Sequence, residues 1–334
     1  MKKLLAVVMS FVIAAAVMCP VLTASAAGDT DYTIVNPYET VDWDSWQYYK
    51  ANLHTHSVAS DGDETITDMV GLYYDAGYDI LALTDHGVVS HGWNLPRKTN
   101  GVFNYFRKAD PMSDEDYQRI TTGSDRGGRG MTDITGGIEI NMAVFSKTHV
   151  NVYFTEYGQG EWGIENDYRT APAKVEEMGG YSVLNHVGDW VNSNRYPERS
   201  HWDVFITYFA NIFKDYHTCL GMEIKNNTDN VTRADRALWD ELLQVVIPTG
   251  RNIWAFADDD SEYRNEVGRS FEYFVLPENT EEAVKTGMIN GTFFACSRYE
   301  KHIQAGVDDF EGNGNVPLVK NIIVDQQANT IELV

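Results

Sequence analysis

The chain has 334 residues, 43% of them hydrophobic, which is enough to bury the core of one large α/β domain. Its 49 acidic residues outnumber its 26 basic ones, and the formal net charge is −23. Because sequence-independent nucleic-acid binding depends on basic residues that neutralise phosphates, this balance predicts no nucleic-acid partner.

The N terminus has the features of an export signal. Lys2 and Lys3 precede the apolar run of residues 4–18, and the small residues TASAAG follow. The run is about fifteen residues long, shorter than the roughly 20 that a membrane-spanning helix needs. We therefore predict a signal peptide over residues 1–27 and an exported protein, secreted or in the cell envelope, without membrane contact once the signal is removed.

Two cysteines lie beyond this signal, Cys219 and Cys296. An exported protein meets oxidising conditions in which the two could pair, yet two cysteines are too few for a disulfide framework. A disulfide and two separate buried thiols are both open at this stage.

After a polar lead over residues 28–48, strand-like apolar runs alternate with amphipathic helical ones, and the domain is predicted to span residues 49–300. Residues 87–132 read as an insertion with one short helix. Residues 301–334 read as a C-terminal extension with two short strands around a turn. Alternating strands and helices predict a parallel sheet, and this many in one domain predict a barrel. The strand candidates are residues 49–54, 78–86, 133–140, 149–154, 181–186, 219–226, 252–257 and 292–297.

Chemically active side chains gather where these predicted strands end or where the next loop begins. In a β/α barrel the C-terminal ends of the strands converge on one pocket, so residues far apart in sequence are expected to meet there. A further strand end adds the run Asp258 to Asp260. The other members of the set are His54, His56, Asp61, Asp85, His86, Glu139, His149, His186 and Glu223.

So many carboxylates around one pocket would repel one another, and bound divalent cations are the economical explanation. Mixed imidazole and carboxylate ligands suit zinc, manganese or iron better than calcium. A carboxylate shared by two ions would hold them a few ångströms apart, an arrangement that activates water and stabilises a departing oxygen.

The motifs HTHSVASDG, LTDHG, GIEI, HVNVYF, VLNHVG, GMEIKN and DDD, in this order, resemble the polymerase-and-histidinol-phosphatase (PHP) superfamily of metal-dependent hydrolases. The resemblance runs from about residue 50 to residue 297, and the pairing of HxH with TDH is its most specific part. It implies a distorted seven-stranded (β/α) TIM-like barrel that holds two or three divalent ions, manganese, iron or zinc.

The resemblance also implies a ligand set. His54 and His56 would bind one ion together with Glu139 and Asp259. Glu139 would bridge to a second ion held by His149 and His186.

In the family a third ion takes the equivalents of Asp61 and His86 and a histidine two residues after the last aspartate, where this chain has Ser261. The run of three aspartates leaves a one-residue ambiguity in which of them is the ligand. A weakened or absent third site is therefore one of the expectations.

These observations predict a metal-dependent hydrolase, with Glu139, Asp85 and Glu223 as the candidate catalytic residues. The primary hypothesis is a phosphoesterase that uses metal-activated water on a small phosphorylated molecule. One alternative is a carbamate or carboxylic ester hydrolase on the same metal site, and another is a non-catalytic metal-dependent binding protein. The sequence has no Gly-x-Ser-x-Gly elbow, so a serine nucleophile of that kind is not expected.

Overall fold

The structure, a computed structural model, describes residues 34–98, 109–141, 147–160, 167–191, 202–227, 232–300, 310–312 and 314–334. The chain divides into two compact units, one over Thr40–Pro317 and one that joins the segment up to Glu39 with Leu318–Val334. The predicted signal over residues 1–27 lies outside the described residues. The predicted domain limits stay predictions.

The described residues of the larger unit hold seven helices and two five-stranded sheets. The strands that form the two sheets are β1 (Gln47–Asn52), β2 (Ile80–Ala82), β3 (Thr132–Ile134), β4 (Ile138–Ile140), β5 (Val150–Tyr153), β6 (Tyr181–Leu184), β7 (Cys219–Asn226), β8 (Trp254–Asp258), β9 (Ser270–Leu276) and β10 (Phe293–Ser297). The helices are α1 (Ile66–Asp75), α2 (Asp114–Thr122), α3 (Thr170–Met178), α4 (Val187–Val191), α5 (Trp202–Asp215), α6 (Thr232–Val246) and α7 (Glu281–Asn290).

The first sheet has the order β10-β9-β1-β2-β3, and the second has the order β4-β5-β6-β7-β8. Pairing is parallel between β1, β2 and β3 and between β6, β7 and β8. Strand β5 runs antiparallel to both of its neighbours, so its first residue lies at the end of the sheet where β4 finishes. This reversal places His149, directly before β5, beside Glu139 in β4.

The mixed α/β class is confirmed, but in the described residues the strand ladders do not close into the seven-stranded barrel that the sequence predicts. Among the described residues, three isolated bridges lie outside the named sheet pairings: His86 to Glu139, Thr55 to Ser261 and Ser90 to Gly137. The predicted strand 133–140 is divided into β3 and β4 by a turn in which Gly136 has a φ of 70°. A Cβ at Gly136 would lie 2.5 Å from the amide nitrogen of Phe154, so the bend requires glycine.

Strand β9 was not predicted. It follows β8 with one short 3-10 helix (Arg264–Glu266) and no α-helix between them, and it pairs antiparallel with β1 and with β10. The strand was missed because the sequence-based prediction assumed that an α-helix precedes each strand.

Helix α1 shows how sequence fixes an element against the sheet. The hydroxyl of Thr65 accepts a hydrogen bond from the amide of Asp68 (3.1 Å) and so caps the first turn of the helix. Ile66, Met69 and Tyr73 recur on one face and are completely buried in a cluster with the outer side of the first sheet. The helix therefore covers the strands whose ends carry the first metal-ligand candidates.

In the smaller unit, strands β13 (Ile322–Asp325) and β14 (Thr330–Leu333) pair antiparallel as a hairpin. The amide of Ile34 donates to the side-chain oxygen of Gln326 (3.1 Å) within the same unit. The larger unit also carries the short pair β11 (Tyr299–Glu300) and β12 (Phe310–Glu311). Among the described residues no helix combines the length and apolarity needed to cross a membrane, and Cys219 and Cys296 are both free thiols.

The close pairing of β7 with β8 yields a stability prediction. A Cβ at Gly221 would lie 1.8 Å from the carbonyl oxygen of Trp254, a backbone atom that cannot move without disturbing the ladder. We expect Gly221→Ala to lower the free energy of unfolding by about 3 kcal/mol or more, measured by urea denaturation. Gly71→Ala is the control, since no heavy atom lies within 4 Å of that position and the helix should gain up to about 1 kcal/mol. Equal effects of the two substitutions would contradict this account of the β7–β8 contact.

Candidate metal centre

The segment after β1 is fixed from both sides. The amide of Leu53 donates to the carboxylate of Asp258 (2.6 Å), and the amide of His56 donates to the carbonyl of Ser261 (3.0 Å). The turn that follows closes tightly on this segment, because a Cβ at Gly62 would lie 2.7 Å from the carbonyl carbon of His56. His54 and His56 are thereby held at the end of the first sheet with almost no exposed surface.

Four side chains present donor atoms to one point between the two sheets. The two Nε2 atoms of His54 and His56 are 3.1 Å apart, and each lies 3.1 Å from Oε2 of Glu139 and from Oδ1 of Asp260. A regular tetrahedron with edges of this length has vertices about 1.9 Å from its centre, close to the roughly 2.0 Å of a zinc–nitrogen bond. The donor set therefore fits a divalent transition-metal ion.

Glu139 is the shared member of two neighbouring groups. Its Oε2 faces His54 and His56, while its Oε1 lies 3.2 Å from Nδ1 of His149 and 3.4 Å from Nε2 of His186. A side-chain amide, that of Asn185, donates to the same Oε1 (2.7 Å) and fixes the carboxylate. This is the geometry of a carboxylate between two ions, as the resemblance predicts.

A third group lies on the other side of His56. Its Nδ1 is 3.3 Å from Oδ1 of Asp61, and Nε2 of His86 is 3.4 Å from Oδ2 of the same carboxylate. His86 Nε2 is also 3.3 Å from Oε2 of Glu139, so His86 borders both other groups. The structure thus brings together His54, His56, Asp61, His86, Glu139, His149 and His186.

Asp259 is the predicted ligand that the structure corrects, because Asp260 takes its place in the cluster. The carboxylate of Asp259 points to the outer side of the sheet, where it accepts the backbone N–H groups of Gly268, Arg269 and Ser270 at 2.7–2.8 Å. A φ of 46° at Asp260 turns the chain so that its carboxylate faces the histidines instead. A repeat of three identical residues contains no signal for that turn.

This shift by one residue also changes which residue lies two positions after the aspartate ligand. It is Glu262 instead of Ser261, and the hydroxyl of Ser261 is 2.8 Å from that of Tyr73, away from the ligands. Burial, together with the charges of Asp61 and Asp260, raises the pKa of the Glu262 carboxyl to about 7. Glu262 is not among the predicted site residues, because the position two residues after Asp259 is Ser261.

Glu223 and Asp85, two of the predicted catalytic residues, lie outside the donor cluster and contact its members or the turn that carries one of them. Oε1 of Glu223 is 2.6 Å from Nδ1 of His54, and its Oε2 accepts the amide of His186 (2.9 Å). Asp85 accepts both the amide and the hydroxyl of Ser57 (2.7 Å and 3.0 Å) and so holds the turn that carries Asp61. Both are positioning residues, whereas Glu139 is in the cluster itself.

The charges of the cluster compensate one another. Burial disfavours the charged form of His54, but Asp260, Glu139 and Glu223 outweigh it and hold the pKa of His54 well above its usual value. Burial would raise the pKa of Glu139, yet His54, His86 and His149 hold it well below the usual range. A divalent cation would supply the positive charge that protons on the histidines otherwise supply.

No protein-family model matches this chain, and no curated protein matches it. Among solved structures, a two-domain protein from Bacteroides vulgatus that contains a predicted PHP-like metal-dependent phosphoesterase is similar at 17% identity, with a TM-score of 0.51 over 81% of this chain and 69% of that one. An amidohydrolase from Chromobacterium violaceum is similar at 13% identity (TM-score 0.36, 73% and 97% covered). A lesion-specific endonuclease from Pyrococcus furiosus is similar at 13% identity (TM-score 0.41, 76% and 61% covered).

The chain therefore has the fold of PHP-like metal-dependent phosphoesterases. The resemblance to the PHP superfamily that the motifs indicated is confirmed at the level of the fold. The described residues of this fold include groups of histidine and carboxylate side chains that could hold a metal ion.

One prediction about partners is wrong. The acidic composition was taken to exclude nucleic acid and to leave a small-molecule ester as the substrate. The similar structure from Pyrococcus furiosus is a lesion-specific endonuclease, and the exclusion of a nucleic-acid substrate is withdrawn.

The two adjacent aspartates should respond differently to substitution. Asp259→Ala leaves three backbone N–H groups without their acceptor and is expected to cost about 3 kcal/mol or more of unfolding free energy in the presence of a chelator. Asp260→Ala removes a donor of the tetrahedral set, so it should lower metal affinity more than 100-fold, beyond the roughly 10–100-fold typical of groups behind the ligands. Urea denaturation and metal titration on both variants check this, and a reversed pattern would restore Asp259 as the ligand.

Glu223→Gln should weaken metal binding roughly 10–100-fold, because a carboxylate behind a histidine ligand raises its basicity and fixes its ring. Metal affinity is measured by competition with a chelator of known strength. Glu176→Gln is the matched control, since Glu176 accepts hydrogen bonds from Thr218 far from the cluster. Unchanged affinity in Glu223→Gln would remove Glu223 from the centre.

Proposed function

We propose that the protein is a metal-dependent hydrolase that cleaves phosphoesters. The single observation that carries the proposal is that Nε2 of His54 and Nε2 of His56 lie 3.1 Å from each other and from a carboxylate oxygen of both Glu139 and Asp260, with Glu139 shared with His149 and His186. The fold supports the same conclusion. Manganese, iron and zinc are the ions that we propose for this mixture of imidazole and carboxylate ligands.

The first ion would be held by His54, His56, Glu139 and Asp260, and the second by Glu139, His149 and His186. When bound, such a pair of ions lowers the pKa of water and stabilises negative charge on the departing oxygen. A third ion between Asp61 and His86 would border the other two.

The protein's own residues prepare the site for that chemistry. Oε1 of Glu223 lies 2.6 Å from Nδ1 of His54; with a metal bound, it would accept the Nδ1 proton and leave the Nε2 lone pair for the ion. Asn185 fixes the orientation of Glu139, and Asp85 holds the Ser57 turn. Each of these contacts fixes the orientation of a residue of the cluster or of the turn that carries one.

The described thiols argue against a covalent cysteine mechanism. Burial raises the pKa of Cys219 to about 12, and burial together with Glu272 raises the pKa of Cys296 to about 12. A cysteine nucleophile needs a lowered pKa, so attack by water is the consistent alternative. We further propose that the protein acts outside the cytoplasm, on the basis of the signal-like N terminus.

The test is ester hydrolysis by the full protein, stripped with a chelator and reloaded with manganese, iron or zinc, with the alcohol and acid products of each substrate separated and quantified by chromatography. The panel contains phosphomonoesters, phosphodiesters, short DNA strands, and carboxylic and carbamate esters. We expect turnover of phosphoesters only, with metal required, and a loss of at least about 10³-fold in Glu139→Gln, because the bridging charge is removed. Glu282→Gln, on the surface of α7, is the control and should retain full activity.

Two outcomes would contradict the proposal. Turnover of carbon esters without turnover of any phosphoester would assign the other hydrolase chemistry. Retention of metal without turnover of any ester would assign a non-catalytic metal-binding role.

A further inference from the structure

Two arginines outside the metal cluster lie at the same end of the first sheet as His54. In the antiparallel pairing of β1 with β9, Ala51 lies opposite Glu272, so the chain before β9 runs beside the chain after β1. In the pairing of β9 with β10, Ser270 lies opposite Ser297. Arg269 directly precedes β9, and Arg298 directly follows β10.

The backbone around these arginines is firmly held. The amide of Arg298 donates to the carbonyl of Arg269 (2.7 Å), and the carbonyl of Arg298 accepts the amide of Gly312 (2.6 Å). The amide of Arg269 donates to Asp259, next to the ligand Asp260. The position of the pair is therefore coupled to the segment that carries the metal ligand.

Arg269 and Arg298 line a cavity of about 470 Å³ together with Asn265, Tyr299 and Glu311. Between this cavity and the metal cluster lies the pair Asn226 and Asn227. Asn226 donates to Asp260 (3.0 Å), and the side-chain oxygen of Asn227 accepts a hydrogen bond from Arg269 (2.6 Å). Two neighbouring residues thus touch the metal cluster on one side and the cavity on the other.

The arginines have hydrogen-bonding capacity left for a ligand. The Nε of Arg298 is buried and has no hydrogen-bond partner. Arg269 bonds to a neutral amide oxygen, and its nearest carboxylate in the described part of the chain, that of Glu266, is 3.8 Å away. That carboxylate already accepts the amides of Glu262 and Tyr263 and the side chain of Asn227.

Charged groups of both signs lie near the cavity. Glu311 lines it and is exposed to solvent, while Lys225 places its Nζ 5.7 Å from the centre of the Tyr299 ring. The charge of Arg298 also helps burial to lower the pKa of Lys50 to about 8. In a chain of net charge −23, the described residues that line the cavity carry two positive charges, Arg269 and Arg298, against the one negative charge of Glu311.

We infer that this cavity binds an anionic group, a phosphate or a carboxylate, that belongs to the substrate and lies beside the ester being cleaved. The forked guanidinium group matches both kinds of oxyanion. The assignment to the substrate rests on the proposed hydrolase function, whereas the binding of an anion in the cavity does not.

Anion binding is tested with inorganic sulfate and the full metal-loaded protein, by calorimetry at constant ionic strength. We expect Arg298→Gln and Arg269→Gln each to weaken sulfate binding at least about tenfold. Arg264→Gln is the matched control, because Arg264 is 65% exposed on the same loop, is paired with Glu64, and should leave the affinity unchanged. If Arg298→Gln does not fold, as judged by circular dichroism, Arg298→Lys and Arg269→Gln carry the test.

Equal sulfate affinity in the wild type and the cavity variants would overturn the inference. The inference would also be overturned if the Arg298, Arg269 and Arg264 variants all lost sulfate affinity equally. It would likewise be overturned if sulfate binding were abolished by metal removal but by none of the substitutions.

The link to the substrate is tested with p-nitrophenyl phosphate, which has one anionic group, and a sugar bisphosphate, which has two. Arg298→Gln should raise KM at least about tenfold for the bisphosphate and leave KM for p-nitrophenyl phosphate unchanged. Equal effects on both substrates would separate the cavity from substrate binding. If no phosphoester is cleaved even by the wild type, the proposed function fails, while the sulfate titration still decides whether the cavity binds an anion.

Discussion

The interaction on which the rest of the centre depends is the contact of one buried carboxylate, Glu139, with five imidazole rings. Its two oxygens lie 3.1–3.4 Å from nitrogens of His54, His56, His86, His149 and His186. A buried carboxylate without such partners would take up a proton. Each part of the fold that brings a histidine to Glu139 therefore also keeps Glu139 charged, and this mutual dependence explains why the ligands come from both sheets.

The run Asp258 to Asp260 shows how position decides what one residue type does. Asp258 accepts the amide of Leu53, and burial beside Glu223 raises its pKa. Asp259 binds three backbone amides on the outer side of the sheet, and burial raises its pKa to about 6 even so. Asp260 faces His54 and His56, whose charges outweigh burial and lower its pKa. One aspartate aligns a strand, the next anchors a loop, and the last is placed to bind metal.

The sequence predicted the cluster well because its members follow strands whose ends must converge. His54, His86 and Glu139 could be placed from strand ends alone, since parallel strands bring those ends to one edge. The described strands do not form the predicted closed barrel. The bend at Gly136 and strand β9 could not be predicted, because both depend on contacts between distant segments. The choice of Asp260 over Asp259 depends on a left-handed turn, and no pattern in three identical residues indicates it.

Two residues of the centre, His186 and Asp260, have strained backbone conformations. His186 and Asp260 have φ values of 27° and 46°, in a region that residues with a Cβ rarely occupy. His186 is held there by the bond from its amide to Glu223, the carboxylate that also contacts His54. Asp260 is held by the amide of Asn226, which donates to Glu223 as well. Glu223 thus supports both strained ligands and one unstrained one, although it does not itself face the point where the four donor atoms meet. Glu223 therefore acts on the site through the geometry of its neighbours. Without it, three candidate ligands would lose a common source of orientation.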